Sequence, residues 1–255
     1  MFRITRFIIT DLIRNWILLF FTAFLLLATV GFFMLDAHPE KALLGVMNTI
    51  LLVVPMVSVV FATIYYYNSQ DFMGMLLALP LKRYTLLLSL FFGLSTVFCS
   101  AIVLGTGIPL WIMHGGIQSL LIIVVGSLLA IVFVAFALLG SVLSNDKARG
   151  MGIALMLWAY FVLLFDGLVL FLMYYFSDYP IEKWMLSITF LNPVDLSRIV
   201  VLMQTEASAL MGASGAVFEK FFSEQNGSML ALGVVLVWAI IPLLLSIRIF
   251  NRKNI

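Results

Sequence analysis

Charged residues are scarce in this sequence. Asp, Glu, Lys and Arg together make up 10% of the 255 residues, whereas 64% are hydrophobic. A soluble domain averages about 25% charged and about 45–50% apolar residues, and one with the present composition would expose large apolar patches to water. The composition therefore predicts an integral membrane protein. The net charge of +2, with no basic run among aromatic residues, does not indicate a nucleic-acid-binding protein.

Residue types that metal or nucleotide chemistry requires are also scarce. Cys99 is the single cysteine, which excludes an intrachain disulfide. His38 and His114 are the two histidines, and with one cysteine they do not make up a Cys/His metal site. The sequence also lacks the Gly-x-x-x-x-Gly-Lys-Ser/Thr loop that holds nucleotide phosphates in P-loop ATPases. We therefore expect no enzymatic activity and no metal ion or cofactor bound by this chain.

Long apolar runs, in contrast, are abundant. A helix needs about 20 residues to cross a hydrocarbon layer of about 30 Å, whereas barrel strands alternate over about ten residues. We therefore predict an all-α integral membrane protein with six transmembrane helices, and because no repeat or second domain is evident, residues 1–255 are expected to form a single transmembrane domain. The predicted spans are Trp16–Leu35, Leu43–Tyr67, Tyr84–Met113, Ile117–Leu143, Met151–Tyr175 and Met229–Phe250.

The lysines and arginines predict the orientation of the chain. Most of the 14 lie near one set of helix ends, and that set is predicted to be cytoplasmic because positive residues accumulate on that side. Both termini are then cytoplasmic, in agreement with an even number of spans. The cytoplasmic set is Arg3, Arg6, Arg14, Lys82, Arg83, Lys147, Arg149, Arg248, Arg252 and Lys253. The opposite set is Lys41, Lys183, Arg198 and Lys220.

The residues ahead of the first span form a basic segment, Phe2–Arg14. Its polar residues follow helical spacing, although Phe7 and Asp11 blur the pattern. Two interpretations stay open: an amphipathic helix lying in the cytoplasmic interface, or simple positive flanking of the first span.

The longest stretch outside the predicted spans is Phe176–Ser228, on the outer side. Within it, Trp184–Leu191 is apolar but too short to cross, so it is expected to lie in the interface or to re-enter the membrane. Asn192 and Pro193 are typical of a helix start, with Asn as the N-cap and Pro at the first position. Asn226-Gly227 predicts a break before the last span.

The helix that begins after Asn192 is predicted to have an apolar and a polar side. Asp195 and Arg198 are three residues apart, which allows them to pair on the polar side. The residues at i, i+3, i+4 and i+7 predict one apolar stripe, made of Leu196, Ile199, Val200 and Met203.

One acidic residue, Asp166, falls inside a predicted span. An ionised carboxylate in the bilayer interior costs about 2.5–3.5 kcal/mol on insertion scales, so Asp166 is expected to face protein or water. Two interpretations stay open: a residue of the coupling or transport pathway, or a hydrogen-bonded lock between helices that Gly167 allows to approach closely.

The cytoplasmic loop between the second and third spans is predicted to contain a short apolar helix. It includes Met75, ends at Pro80, and is followed by Lys82 and Arg83. A helix that lies along the membrane with a basic edge can dock into a groove on a cytoplasmic partner.

At this loop the sequence resembles the ABC-2 class of transporter permeases, which carry Leu-Leu-x-x-Pro-hydrophobic-x-Arg after the second span. Further segments resemble the branch of that class that serves copper processing for nitrous-oxide reductase. The resemblance implies a type V exporter-like fold, with an N-terminal interfacial helix and short outer helices between spans five and six. The matching segments are Leu76–Arg83, Asn145–Ala154, Trp158–Asp166 and Leu191–Ile199.

The resemblance also implies partners and a location. Such permeases are homodimers in the bacterial inner membrane, with two copies of a cytoplasmic ATPase that binds ATP and Mg, and with a periplasmic β-helical copper-handling protein outside. The ATPase-coupling loop would include Asp71, Leu76, Leu77, Pro80, Lys82 and Arg83. The residues near the outer partner would be Asn192, Pro193, Asp195 and Arg198.

These observations leave three functions to compare. The first is a permease that transmits ATP-driven motion to an outer copper-handling protein, with no copper passing through it because Cys, His and clustered Met are too few. The second is a general ABC-2 exporter of a lipid, peptide or drug. The third is a membrane adaptor unrelated to ABC transporters.

Overall fold

The computed structural model describes residues 2–36, 38–77, 82–176, 187–203 and 225–252, and the regular elements in these ranges are all helices. Six helical segments are long and apolar enough to cross a membrane, which confirms the predicted number of spans. Spans one to six are Trp16–Leu35, Pro39–Asn68, Arg83–Met113, Gly116–Leu143, Lys147–Leu172 and Gly227–Arg252. We refer to the predicted cytoplasmic ends of the spans as inner and to the opposite ends as outer.

These ranges contain eleven α-helices and two π-helical turns whose bounds are described, and residues 187–189 are helical as well. Span three is built from α5, a π turn at Val103–Gly107 and α6, and span five from α8, a π turn at Tyr160–Leu164 and α9. The helices are α1 (Phe2–Ile13), α2 (Trp16–Leu35), α3 (Pro39–Asn68), α4 (Gln70–Leu77), α5 (Arg83–Ile102), α6 (Ile108–Met113), α7 (Gly116–Leu143), α8 (Lys147–Ala159), α9 (Phe165–Tyr175), α10 (Pro193–Leu202) and α11 (Gln225–Arg252).

Several helices extend beyond the apolar runs that predicted them. Helix α3 begins at Pro39, a residue suited to the first turn because it has no N–H to leave unsatisfied. Helix α8 begins at Lys147, since the side chain of Asp146 accepts a hydrogen bond from the Ala148 N–H at 3.2 Å. The break predicted at Asn226-Gly227 is wrong, because both residues lie in the first turn of α11. Hydropathy marks the lipid-facing part of a helix, not its caps.

Span four is the centre of the bundle. Helix α7 packs against α3, α5, α8, α10 and α11, and residues 132–138 along it are all buried. In spans three and four, 67% of the most apolar 18-residue window is buried, against 22% in span one and 17% in span five. Spans one and five therefore present most of their surface to whatever surrounds this chain.

Helix α1 precedes the first span as a separate helix. Its Ile8 and Leu12 are buried, and Ile8 packs so closely on α5 that a Cβ added to Gly93 would overlap it. The ring of Phe7 stacks on Phe72 of α4 with the centroids 5.4 Å apart. The helical form agrees with the prediction for Phe2–Arg14, whereas its location in the membrane interface stays a prediction.

Candidate functional site

Helix α10 is not an exposed outer helix but is inserted among the spans. Eight of its ten residues are buried, and it packs against α7, α11, α3 and the π turn of span five. The predicted apolar stripe therefore describes only part of its surface, because Val194, Ser197 and Val201 on other sides of the helix are buried as well.

Two hydrogen bonds show how deep within the helix bundle α10 begins. The side-chain amide of Asn192 donates to the Phe161 carbonyl at 2.8 Å, and the Trp238 indole N–H donates to the Phe190 carbonyl at 3.2 Å. Phe161 and Trp238 lie eleven residues inside the outer ends of spans five and six, or about 16 Å along a helix. Both contacts place the start of α10 near the middle of the bundle.

The other end of α10 lies nearer the outer surface. Arg198 contacts Asp166, which is six residues, or about 9 Å, from the outer end of span five at Leu172. The chain therefore enters the bundle before Phe190 and returns outward along α10. Of the two locations expected for Trp184–Leu191, this geometry agrees with re-entry, although 184–186 lie outside the described residues.

Asn192 is held by both of its side-chain groups. Its Oδ1 accepts the Val194 N–H at 2.9 Å, which confirms the predicted N-cap, while its amide donates to Phe161. Phe161 lies in the π turn Tyr160–Leu164, and an i→i+5 turn of this kind disrupts the regular ladder and frees backbone groups for outside partners. Asn192 is fully buried, so both bonds are needed to satisfy it.

An aromatic cluster surrounds this point. The ring of Phe161 stacks on Phe136 of span four at 5.2 Å and meets Trp238 of span six edge-on at 5.3 Å. Spans four, five and six thus meet at the level where α10 begins, which gives α10 a rigid base.

An ionic junction joins α10 to span five. One Arg198 nitrogen, Nη1, donates to Asp166 Oδ2 at 2.8 Å and to Asp195 Oδ1 at 3.3 Å. The second contact confirms the predicted i, i+3 pair, whereas the first joins residues 32 positions apart that the sequence did not connect. We call Asp166, Asp195 and Arg198 the outer junction.

The outer junction is charged and only partly exposed to solvent. Two carboxylates share one guanidinium, and the side chains of Asp166, Arg198 and Asp195 are 33%, 31% and 12% exposed. Such a pair is costly to break by removing one partner, because the other charge stays behind in a poorly solvated place. Asp166 and Arg198 also keep enough exposed surface to meet a further partner, since charged groups within spans face protein or water rather than lipid.

The four residues predicted near an outer partner have different environments. Asn192, Pro193 and Asp195 are buried within the chain, and Arg198 alone is partly exposed. Any direct contact with an outer protein is thus open to Arg198, while the other three fix the position of α10.

The predicted coupling loop forms helix α4 at the inner end. Asp71 is exposed in its first turn, and Met75, one turn later on the same side, is 68% exposed. Leu76 is half-buried, and together with Met73 it lines a small depression that Ile4 and Ile8 of α1 also line. The outward side of α4 is therefore the one carrying Asp71 and Met75.

The remaining residues of that loop are described only in part. The helix ends at Leu77, and Pro80 lies outside the described residues. Lys82 precedes the first turn of α5, with its ammonium 5.8 Å from the centroid of the Tyr84 ring, and Arg83 is the first residue of α5.

A second inner contact joins spans two, four and five. The Tyr67 hydroxyl lies 3.2 Å from the carbonyls of Ser141 and Ser144 and touches the start of α8 so closely that a Cβ on Gly150 would overlap it. Lys147 Nζ donates to Asn68 Oδ1 at 3.2 Å. The inner ends of these three spans are thus linked next to α4, and nothing in the local sequence indicated this contact.

Ligands for a metal ion do not gather in the parts of the chain that the structure describes. No three His, Cys, Asp or Glu side chains come together there. His114 Nε2 instead lies 3.0 Å from Oε1 of Gln118 at the outer end of span four.

Comparison with known proteins gives the family. Residues 73–255 match the ABC-2 family transporter protein. A probable ABC transporter permease protein NosY from Stutzerimonas stutzeri is 30% identical over 190 residues, which cover 70% of this chain and 67% of that protein.

A second relative agrees with the first. The probable ABC transporter permease protein NosY from Pseudomonas aeruginosa is 30% identical over 191 residues, which cover 71% of this chain and 68% of that protein. Together with the six spans, these matches identify the chain as a membrane permease of the ABC-2 transporter family, similar to the Nos-type members.

Proposed function

We propose that this permease couples ATP hydrolysis by a separate cytoplasmic ATPase to an extracytoplasmic partner that delivers copper during nitrous-oxide reductase maturation. The names of its relatives support the class of transporter, and the missing phosphate-binding loop supports a separate ATPase. The observation that carries the proposal is the insertion of α10 between spans five and six, anchored by polar contacts at its N-cap Asn192 and at Arg198 near its middle.

The inner end supplies the docking surface in this proposal. Helix α4 presents Asp71 and Met75 outward, while Met73 and Leu76 hold its other side against α1. Because Tyr67 ties span two to spans four and five, a push on α4 reaches the helices that hold α10. The ATPase need not contact the outer half of the permease to move it.

In this proposal, movement of the spans displaces α10 and so changes the surface that the outer end presents. Asn192 binds the backbone of span five and the Phe190 carbonyl binds span six. Any rotation of span five against span six therefore strains or displaces α10. In this proposal Asp166 has the coupling role, with Arg198 as the group that relays its movement to the outer partner.

A second copy of the chain is part of the proposal. Span five is the span with the smallest buried share, 17% of its window, yet it carries the partly exposed Asp166. Lipid is a poor neighbour for a carboxylate, whereas a second subunit supplies protein or enclosed water. The homodimer would thus meet along span five.

Copper is not expected to cross this permease. Soft thiolate and thioether ligands favour Cu(I), whereas the outer junction offers carboxylates and a guanidinium. The permease acts in this proposal by movement, and an outer protein handles the metal in the bacterial periplasm.

The test compares Asp166→Asn with Asp166→Leu in a cell whose own copy of this permease is deleted. Asn keeps the size and hydrogen-bonding capacity of Asp, so Asp166→Asn should retain the thermal midpoint and the assembly with the ATPase. It should still lower partner-dependent ATP turnover and the copper content of nitrous-oxide reductase severalfold. Asp166→Leu should lose thermal stability as well, because Arg198 is left with Asp195 alone.

A matched inner variant separates docking from coupling. Met75→Glu changes the exposed side of α4 without entering the core, and should weaken assembly with the ATPase while the permease keeps its thermal midpoint. Full turnover and maturation with Asp166→Asn would leave Asp166 as a packing lock. Normal maturation in the deletion strain would exclude the copper-delivery role and favour a general exporter.

A further inference from the structure

Helix α1 carries a basic stripe that faces away from the rest of the chain. Arg3, Arg6 and Thr10 of α1 and Arg14, which directly follows its last residue, are all exposed. We call Arg3, Arg6 and Arg14 the arginines of α1. At about 100° per residue they fall within about 80° of the helix circumference. The buried residues Ile8 and Leu12 lie on the opposite side, so the packing of α1 fixes the direction of the stripe.

The three arginines form no ion pair with the carboxylates in the part of the chain that the structure describes. Within the described ranges, none has a carboxylate oxygen within 4.0 Å. The acidic residue of the same helix, Asp11, instead accepts a hydrogen bond from the Tyr65 hydroxyl at 3.0 Å. The stripe therefore offers three guanidinium groups to an anionic partner from outside the chain.

The flank of the stripe is apolar and exposed. Phe2 is 91%, Ile13 54% and Trp16 77% exposed, and all three lie on or next to α1. A soluble acidic protein bound to the arginines would leave these side chains in water. A membrane surface satisfies both groups, since aromatic and aliphatic side chains enter the interface while arginines contact headgroups.

We propose that the arginines of α1 bind the phosphates of anionic phospholipids in the inner leaflet, and that this lipid contact fixes the position of helix α4. The second half of the proposal rests on the proposed function, in which α4 receives the ATPase. The lipid contact itself stands independently of the ATPase.

The link from α1 to α4 consists of direct packing. Phe7 lies on the edge of the stripe nearest α4 and stacks on Phe72. Ile4 and Ile8 line the same small depression as Met73 and Leu76. A headgroup that holds α1 against the membrane thus also holds the buried side of α4, and loss of that headgroup allows α4 to shift.

The first experiment measures lipid preference with the full chain in detergent–lipid micelles. Spin-labelled phosphatidylglycerol and phosphatidylcholine are compared by the fraction immobilised on the protein. Each arginine should favour the anionic lipid by about fivefold, so Arg3→Gln/Arg6→Gln/Arg14→Gln should abolish most of the preference. The corresponding triple Lys variant should keep it.

A matched control removes the same charge elsewhere. Arg149, Arg248 and Arg252 are also exposed at the inner end, and their triple Gln variant should keep most of the preference. An equal loss in both triple Gln variants would mean a diffuse effect of inner-surface charge and would overturn the site on α1. Unchanged preference without the α1 arginines would overturn it as well.

The second experiment tests the link to α4 through ATP turnover in nanodiscs of either lipid. Turnover by the bound ATPase should be at least twofold higher in phosphatidylglycerol. Phe7→Leu should remove that difference while the lipid preference stays. Lipid preference with equal turnover in both lipids would overturn the link alone. Failure of the ATPase to bind at all would contradict the proposed function, and the spin-label result would still decide the lipid site.

Discussion

At the inner end of the bundle, tyrosine hydroxyls tie the spans to backbone carbonyls and to one exposed carboxylate, whereas at the outer end a guanidinium joins two carboxylates on different elements. The inner contacts are neutral or exposed, and Arg3, Arg6 and Arg14 there are exposed. At the outer junction the charged side chains contact one another and hold α10 against span five.

The N-cap residues of α8 and α10 show the same contrast between the inner and the outer end. Asp146 caps α8 in an exposed turn, and its contact with Ala148 satisfies a local N–H. Asn192 caps α10 in the same way but is buried and also binds another span. An N-cap at the outer end is therefore a tertiary contact as well as a local one.

The largest effect is expected from removing Arg198. Arg198→Met leaves two carboxylates without a cation in a partly buried site, which should lower the free energy of unfolding by about 2–4 kcal/mol. Lys147→Met is the inner control, because its contact with Asn68 is exposed and exposed polar contacts contribute about 0–1 kcal/mol. Thermal midpoints in detergent compare the two. Equal losses would remove the distinction between the ends.

Overpacking at the contact between Tyr67 and Gly150 should produce the next largest loss of stability. Gly150→Ala places a methyl group against the Tyr67 hydroxyl, and overpacking of this kind costs about 1–3 kcal/mol. Gly152→Ala is the matched control on the same helix, since nothing lies within 4 Å of its added Cβ. The thermal midpoint should fall for the first and hold or rise for the second. Tyr67→Phe should restore part of the loss at Gly150.

The two N-cap residues test directly whether an outer cap contributes more stability than an inner one. Asp146→Ala should cost about 0.5–1 kcal/mol, as is usual for an exposed cap. Asn192→Ala should cost about 1–2 kcal/mol more, because the Phe161 carbonyl then loses its donor inside the bundle. The difference is read from chemical or thermal unfolding of both variants. A smaller loss at Asn192 would contradict the buried position of α10.

The smallest effect is expected for Tyr65→Phe. Its hydroxyl contacts Asp11 at an exposed place, so the thermal stability should change by no more than about 0.5 kcal/mol. Tyr67→Phe should cost about 1 kcal/mol, because its hydroxyl is buried between two carbonyls. Unfolding of the two variants under identical conditions measures the difference, and a larger loss at Tyr65 would reverse the order.

Local rules predicted much of the fold correctly. Span one has the bounds that its apolar run predicted, because a membrane helix needs only length and hydrophobicity. The start of α10 at Asn192 and Pro193 and the pair of Asp195 with Arg198 also followed from spacing within a turn or two. Where such rules failed, at Asn226-Gly227, the first turn of α11 includes residues that allow a break without requiring one.

Length and apolar composition are enough to predict six membrane-spanning helices, since a run of about 20 apolar residues is stable only when it is buried in protein or in lipid. They also predict that Asp166 faces protein or water rather than lipid. The pairing of Asp166 with Arg198, 32 residues away, and the position of α10 inside the bundle become visible only in the folded chain. Contacts between residues so far apart depend on how whole helices pack, and their spacing in the sequence carries no trace of it.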